Sequence, residues 1–132
     1  MPVTFPTIPD TVPSPGQFSH ISVGAGSEIV ALSGQTGRDP SGAFAGDVGA
    51  QTTQAFATIG ALLEAAEVDW SAVVGFRMYV VGRDNLPAFR AARERIYGEI
   101  YPNGRYPANT LLVVAGLGRE EALVEIETLA VR

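Results

Sequence analysis

Residues 124–130, Val124-Glu125-Ile126-Glu127-Thr128-Leu129-Ala130, carry a two-residue period. A strand turns successive side chains to opposite faces, so Val124, Ile126, Thr128 and Ala130 share one face, and Leu123, Glu125, Glu127 and Leu129 the other. The spacing predicts a strand from Ala122 to about Val131. Upstream, Ala108 to Ala115 reads as another strand, followed by the loop Gly116-Leu117-Gly118-Arg119. Before it, Leu86, Phe89, Arg93, Ile96 and Ile100 fall at helical spacing. Asp84 or Asn85 is the expected N-cap, Pro87 fits the first turn, and Pro102-Asn103-Gly104 ends the helix. Val73 to Val81, rich in Val, Phe, Met and Tyr, predicts a strand. Phe56, Ile59, Leu63 and Ala66 form the stripe of a helix expected from near Asp47 to about Ala66. Alternating residues from His20 to Thr36 predict a β-hairpin turning at Gly26.

The order is two strands, a helix, a strand, a helix and two strands, which is an α+β arrangement. Two amphipathic helices cover one face of such a sheet and leave the other to water or to another subunit. Leu111, Val113, Leu123 and Leu129 are expected on that other face, where water suits them poorly, so an oligomer is expected. No repeat or linker divides the chain, and residues 1–132 are expected to form one domain.

Composition narrows the function classes. Of the 132 residues, 46% are hydrophobic and 17% charged, the balance of a folded domain. Zero Cys excludes a disulfide framework and a zinc–thiolate site, and a lone His20 makes a metal site improbable. The absence of a long apolar run argues against a membrane span, Met1 to Pro15 lacks a signal-peptide pattern, and a cytoplasmic location is expected. Net charge is −5, whereas phosphate-binding surfaces carry an excess of cations, so nucleic acid is a poor partner. Arg77, Arg83, Arg90, Arg93, Arg95 and Arg105 lie close in sequence, and several of them are read as lining one solvated helix face, interleaved with Glu94 and Glu99.

Five segments, in order, resemble the Rid family (reactive-intermediate imine/enamine deaminases, YjgF-like, RidA). Pro15-Gly16-Gln17-Phe18-Ser19-His20 is similar to its Gly-Pro-Tyr-Ser segment, and Ser33-Gly34-Gln35 matches its Ser-Gly-Gln. Gln51-Thr52-Thr53-Gln54 resembles its Gln-Thr-x-Gln helix start, Pro107-Ala108-Asn109-Thr110 its Pro-Ala-Arg-Ser, and Val124-Glu125-Ile126-Glu127 its Val-Glu-Ile-Glu. The resemblance implies a chorismate-mutase-like (YjgF-like) fold, with a mixed sheet and two helices on one face. It also implies a homotrimer whose sheets form a central barrel, with a small-molecule cleft at each subunit interface and neither cofactor nor metal. In the deaminating members an arginine of Pro-Ala-Arg-Ser pairs with a 2-imino or enamine acid, and water releases ammonia.

Two departures bear on activity. Asn109 stands at the arginine position, and Phe18 replaces the tyrosine. Arg to Asn removes a bidentate, charge-assisted grip on a carboxylate, a contact worth about 1.5–3 kcal/mol. Arg105 is the nearest basic alternative in sequence, ~13 Å away along an extended strand.

Glu125 is expected on a buried strand face, where a carboxyl can hold a proton or position water; a hydrogen-bonded structural carboxylate is the competing reading. Asn109 is the second catalytic candidate, as a donor and acceptor, against simple drift. Ser33, Gly34 and Thr110 are candidate ligand contacts, and Phe18 and Tyr101 candidate apolar walls, although such aromatics more often serve cores. Ser19 or Ser33 with His20 lacks the surroundings of a nucleophilic triad, and Trp70 reads as a packing residue beside a turn capped by Asp69.

The resulting expectation is a RidA-like protein that acts on or binds a small imine, enamine or carbonyl metabolite. It is not a standard 2-imino-acid deaminase; if an enzyme, it is a hydrolase acting on a substrate lacking the usual carboxylate. A non-catalytic ligand-binding or regulatory trimer is the alternative, and a ribonuclease the third reading.

Overall fold

The computed structural model describes residues 2–132. Eight strands and helices follow one another: β1 (Val3–Thr4), β2 (Val23–Gly24), β3 (Ile29–Thr36), α1 (Val48–Ala65), β4 (Val73–Val81), α2 (Leu86–Ile100), β5 (Ala108–Val114) and β6 (Val124–Val131). The main sheet runs β3-β6-β4-β5, with β5 parallel to β4 and the other neighbours antiparallel. This is the expected α+β fold, a mixed sheet with both helices on one face.

Local signals set the helix boundaries. Asp47 caps α1 by accepting a hydrogen bond from the Ala50 N–H at 2.8 Å. Asp69 caps the short turn 70–72 in the same way, through Ser71. The start of α2 differs from expectation. A 3-10 turn, Arg83–Asn85, leads into it, and the Asn85 amide donates back to the Val81 carbonyl at 2.7 Å instead of capping a helix N–H. Pro87 lies in the first turn, as expected.

The covered face is continuous across the sheet. Phe76, Met78 and Val80 of β4 and Val124, Ile126 and Ala130 of β6 are buried against Ile59, Leu63, Phe89 and Ile96 of the helices. Phe56, Phe76, Tyr97, Tyr101, Tyr106 and Trp70 pack edge-on or stacked into an aromatic group at one end. Gln51 is buried at the head of α1; its amide donates to the carbonyls of Ala45 and Glu121 and its oxygen accepts from the Leu123 N–H. One side chain thereby ties three backbone segments that would otherwise hold unpaired polar groups.

Two expectations are corrected. The first concerns the hairpin at Gly26, whose arms pair elsewhere: β2 with β1, and β3 with β6. The residues between them lie on the end of β6, where the N–H groups of Ser27 and Glu28 donate to the Arg132 carbonyl. Alternation marks a strand but does not select its partner. The second concerns the uncovered face. Leu111 and Leu123 pack partly against the core, and Val113 pairs with Val80 on the helix side. The apolar residues that the open face exposes are Ile29 (76%), Leu112 (48%) and Leu129 (42%).

Candidate functional site

β5 is an edge strand, and on its helix side a groove of about 880 Å³ separates it from α2 and the segment around Phe18. Asn109 and Phe18 both line this groove, as do Arg83, Arg90 and Arg93. Asn109 is half-buried and faces Met78, whose sulfur lies 3.8 Å from its Nδ2. The Phe18 segment is held by its neighbours: the Ser19 hydroxyl donates to the Tyr106 carbonyl, and the Ser19 N–H to the Pro107 carbonyl. The ring of Phe18 meets His20 edge-on.

Arg93 falls both in the run of arginines and in the helical stripe with Phe89 and Ile96, and the structure follows the stripe. Arg90, Glu94, Arg95 and Glu99 are exposed as expected, but Arg93 sits on the inner stripe of α2 with only 6% of its surface accessible. Its guanidinium lies over the rings of Phe89 and Tyr97. It donates to Gln17 Oε1 at 3.2 Å and to the Met78 sulfur at 3.6 Å. Burial pulls its pKa below the ordinary arginine value, and the charge of Arg90 adds to that pull. Burial likewise pushes the Tyr97 phenol far above its usual value, opposed by the Arg93 charge and the Asn109 amide. The Tyr97 hydroxyl makes no hydrogen bond of normal geometry among the described residues, so the core beneath Arg93 holds an unpartnered polar atom.

The other sequence candidates lie elsewhere in the chain. Glu125 is half-buried on the open face, not fully buried as expected. Its side chain crosses directly over Gly34: a Cβ added there would meet Glu125 Cγ and Cδ at 2.9 Å. Ser33 is exposed beside it, where the pairing of β3 with β6 shifts register between Leu32 and Gln35. Thr110 lines a second concavity, on the open face, with His20, Arg77 and Glu127. Tyr79, opposite Glu125, donates its hydroxyl to Glu127 at 2.6 Å. Tyr101 belongs to the aromatic core, where its hydroxyl donates to the Trp70 carbonyl; it lines a separate small pocket with Arg105. Arg105 is thus not brought to the Asn109 groove.

Within one chain, Phe18 and Asn109 come together at one edge of the sheet, and Ser33, Gly34 and Glu125 toward the opposite edge. Sequence reasoning missed Arg93 as a groove residue, although its i+4 spacing from Phe89 carried the signal.

Fold and groove together define an α+β protein of the YjgF type, and the comparisons agree. The chain belongs to the Rid (YjgF-like) family: the family described as Endoribonuclease L-PSP matches residues 10–132. A 2-iminobutanoate/2-iminopropanoate deaminase of Salmonella typhimurium is 33% identical over 105 residues, covering 79% of this chain and 80% of the relative. The Rid-family protein YyfB of Yersinia pestis, itself of unknown function, has a similar structure (TM-score 0.85, 29% identity, all of both chains covered). The YjgF gene product of E. coli superposes with a TM-score of 0.72 at 29% identity, over 80% of this chain and 82% of its own.

Proposed function

We propose that this chain is a RidA-like protein that hydrolyses a small imine or enamine, or a related carbonyl compound, in a cleft completed between copies of the chain. The observation that carries this reading is the groove beside edge strand β5, lined by Asn109 and Phe18, in a chain related to a 2-imino-acid deaminase. The strand order supports the shared cleft. β3 and β5 are opposite edges of the sheet, so copies arranged head to tail in a ring set the Ser33, Gly34 and Glu125 cluster of one beside the Asn109 groove of the next. A homotrimer closes such a ring and places the exposed Leu112 and Leu129 against other subunits.

In this reading Glu125 holds a water that adds to the carbon of the C=N bond. The nitrogen gains protons, the C–N bond breaks, and ammonia leaves behind a carbonyl product. Asn109 and Ser33 orient the ligand, and Phe18 forms an apolar wall. Asn109, where the family pattern has arginine, sets the site apart from a standard 2-imino-acid deaminase. A net charge of −5 disfavours the phosphate backbone that the ribonuclease in the family's description would need.

The test is ammonia release from freshly generated imines, both 2-imino acids and imines without a carboxylate, with Glu125→Gln alongside. Release that falls at least a hundred-fold in Glu125→Gln is expected. Binding of the carbonyl product with no release from any imine would instead establish a non-catalytic ligand-binding protein.

A further inference from the structure

Arg93 is the one feature of the groove that neither the fold nor the aromatic core explains. A buried guanidinium is ordinarily matched by a carboxylate, because an unpaired charge loses its hydration without compensation. The ion pairs among the described residues involve Arg77 and Arg132 only, and no carboxylate lies within 4.0 Å of Arg93. Its recorded contacts are neutral: the Gln17 oxygen on Nε, the Met78 sulfur on Nη1, and the faces of Phe89 and Tyr97. Nη2 donates to nothing among the described residues, and the side chain lines the groove shared with Asn109. The surroundings point the same way. In a chain of net charge −5, the groove collects Arg83, Arg90 and Arg93 against one carboxylate, the exposed Glu94.

We propose that Arg93 is the anion-holding residue of this groove, seating the carboxylate of its ligand between its own guanidinium and the Asn109 amide. This rests on the reading that a small imine or carbonyl compound occupies the groove, and it reverses the expectation that the ligand lacks a carboxylate. The charge that β5 does not supply comes from α2 instead. A planar guanidinium with free N–H groups matches a carboxylate in two-point geometry, and the Asn109 amide adds a neutral donor. Arriving from a different element, the charge grips the anion from another direction, so the ligand sits differently from one held by an arginine on β5.

Calorimetric titration of the full chain separates this proposal from the reading beneath it. The probes are 2-oxobutanoate, its uncharged amide, and butanoate, which keeps the carboxylate and lacks the carbonyl. The natural protein should prefer 2-oxobutanoate over the amide by roughly ten- to hundred-fold, the worth of a charge-assisted contact. Arg93→Met should erase that preference and raise the melting temperature, since a charge kept for a ligand is a liability in the empty protein. A residue with a merely structural role would lower the melting temperature instead. No preference in the natural protein, or a preference that survives in Arg93→Met, overturns the proposal, as does failure of every carboxylate to bind. Equal, Arg93-dependent binding of butanoate and 2-oxobutanoate upholds the anion site and sinks the carbonyl reading. Should Arg93→Met not fold, Arg93→Gln decides: loss of the preference in a folded variant sustains the proposal, and its retention overturns it.

Discussion

The guanidinium of Arg93 on α2 and the amide of Asn109 on β5 meet at one atom, the sulfur of Met78, which lies 3.6 Å from Arg93 Nη1 and 3.8 Å from Asn109 Nδ2. These residues are 16 positions apart in sequence, on elements joined by a loop, and both line the groove. A neutral amide beside a buried cation adds no charge repulsion, whereas a second cation there would.

Asn109→Arg should therefore destabilise the empty protein, by about 1–3 kcal/mol, because it adds a like charge in a weakly screened site. Combining it with Arg93→Met should restore most of the loss. A double-mutant cycle by urea denaturation should show a coupling of about 1–2 kcal/mol, and strict additivity would mean that the two side chains do not share an environment.

Gly34 offers a way to disturb Glu125 without changing its chemistry. A methyl group at position 34 would press on Glu125 Cγ and Cδ, which belong to a flexible side chain able to move aside. Gly34→Ala should alter stability by under about 1 kcal/mol. If Glu125 positions water, the same substitution should lower turnover at least ten-fold. Unchanged turnover with a displaced Glu125 would remove that carboxylate from the reaction.

Gln51 is structural, and its substitution should show it. Gln51→Ala leaves the Leu123 N–H and the carbonyls of Ala45 and Glu121 without their partner, and opens a cavity. A loss of about 2–4 kcal/mol is expected in denaturant titration. Gln51→Glu should not rescue it, because the replacement turns a carboxylate oxygen toward two carbonyl oxygens. A variant as stable as the natural protein would show that water satisfies these groups instead.

The open sheet face should decide the oligomeric state. Leu129 is 42% exposed, and Leu129→Lys places a charge on the apolar part of that face. Light scattering coupled to size exclusion should give a trimer for the natural protein and smaller species for the variant. A monomeric natural protein would undo the shared cleft, leaving Glu125 on inner strand β6 and Asn109 on edge strand β5, with β4 between them.

Most of the secondary structure was legible in local signals. Val73 to Val81 is a strand with the expected ends, and Asp47 caps α1 where the apolar stripe begins. The site was legible only in pieces. Asn109 and Phe18 were singled out from motif position and do share a groove, whereas Tyr101, chosen as a wall, lies in the core with its hydroxyl on the Trp70 carbonyl. Arg93 belongs by spacing to the stripe of Phe89 and Ile96 and by charge to the run of arginines, and its burial follows the spacing.

By itself the sequence determined the two helices and the strands β4, β5 and β6 to within a few residues, which side chains of β6 share a face, and which motifs ally the chain with the Rid family. Each of these rests on residues within a turn or two of one another, where backbone geometry alone fixes what lies beside what. Only the tertiary structure decided that β2 pairs with β1, that Leu111 turns toward the core, and that Arg93 and Asn109 converge on Met78. Those outcomes depend on contacts between distant segments, selected by packing and hydrogen bonding over the whole sheet, and no local period encodes them.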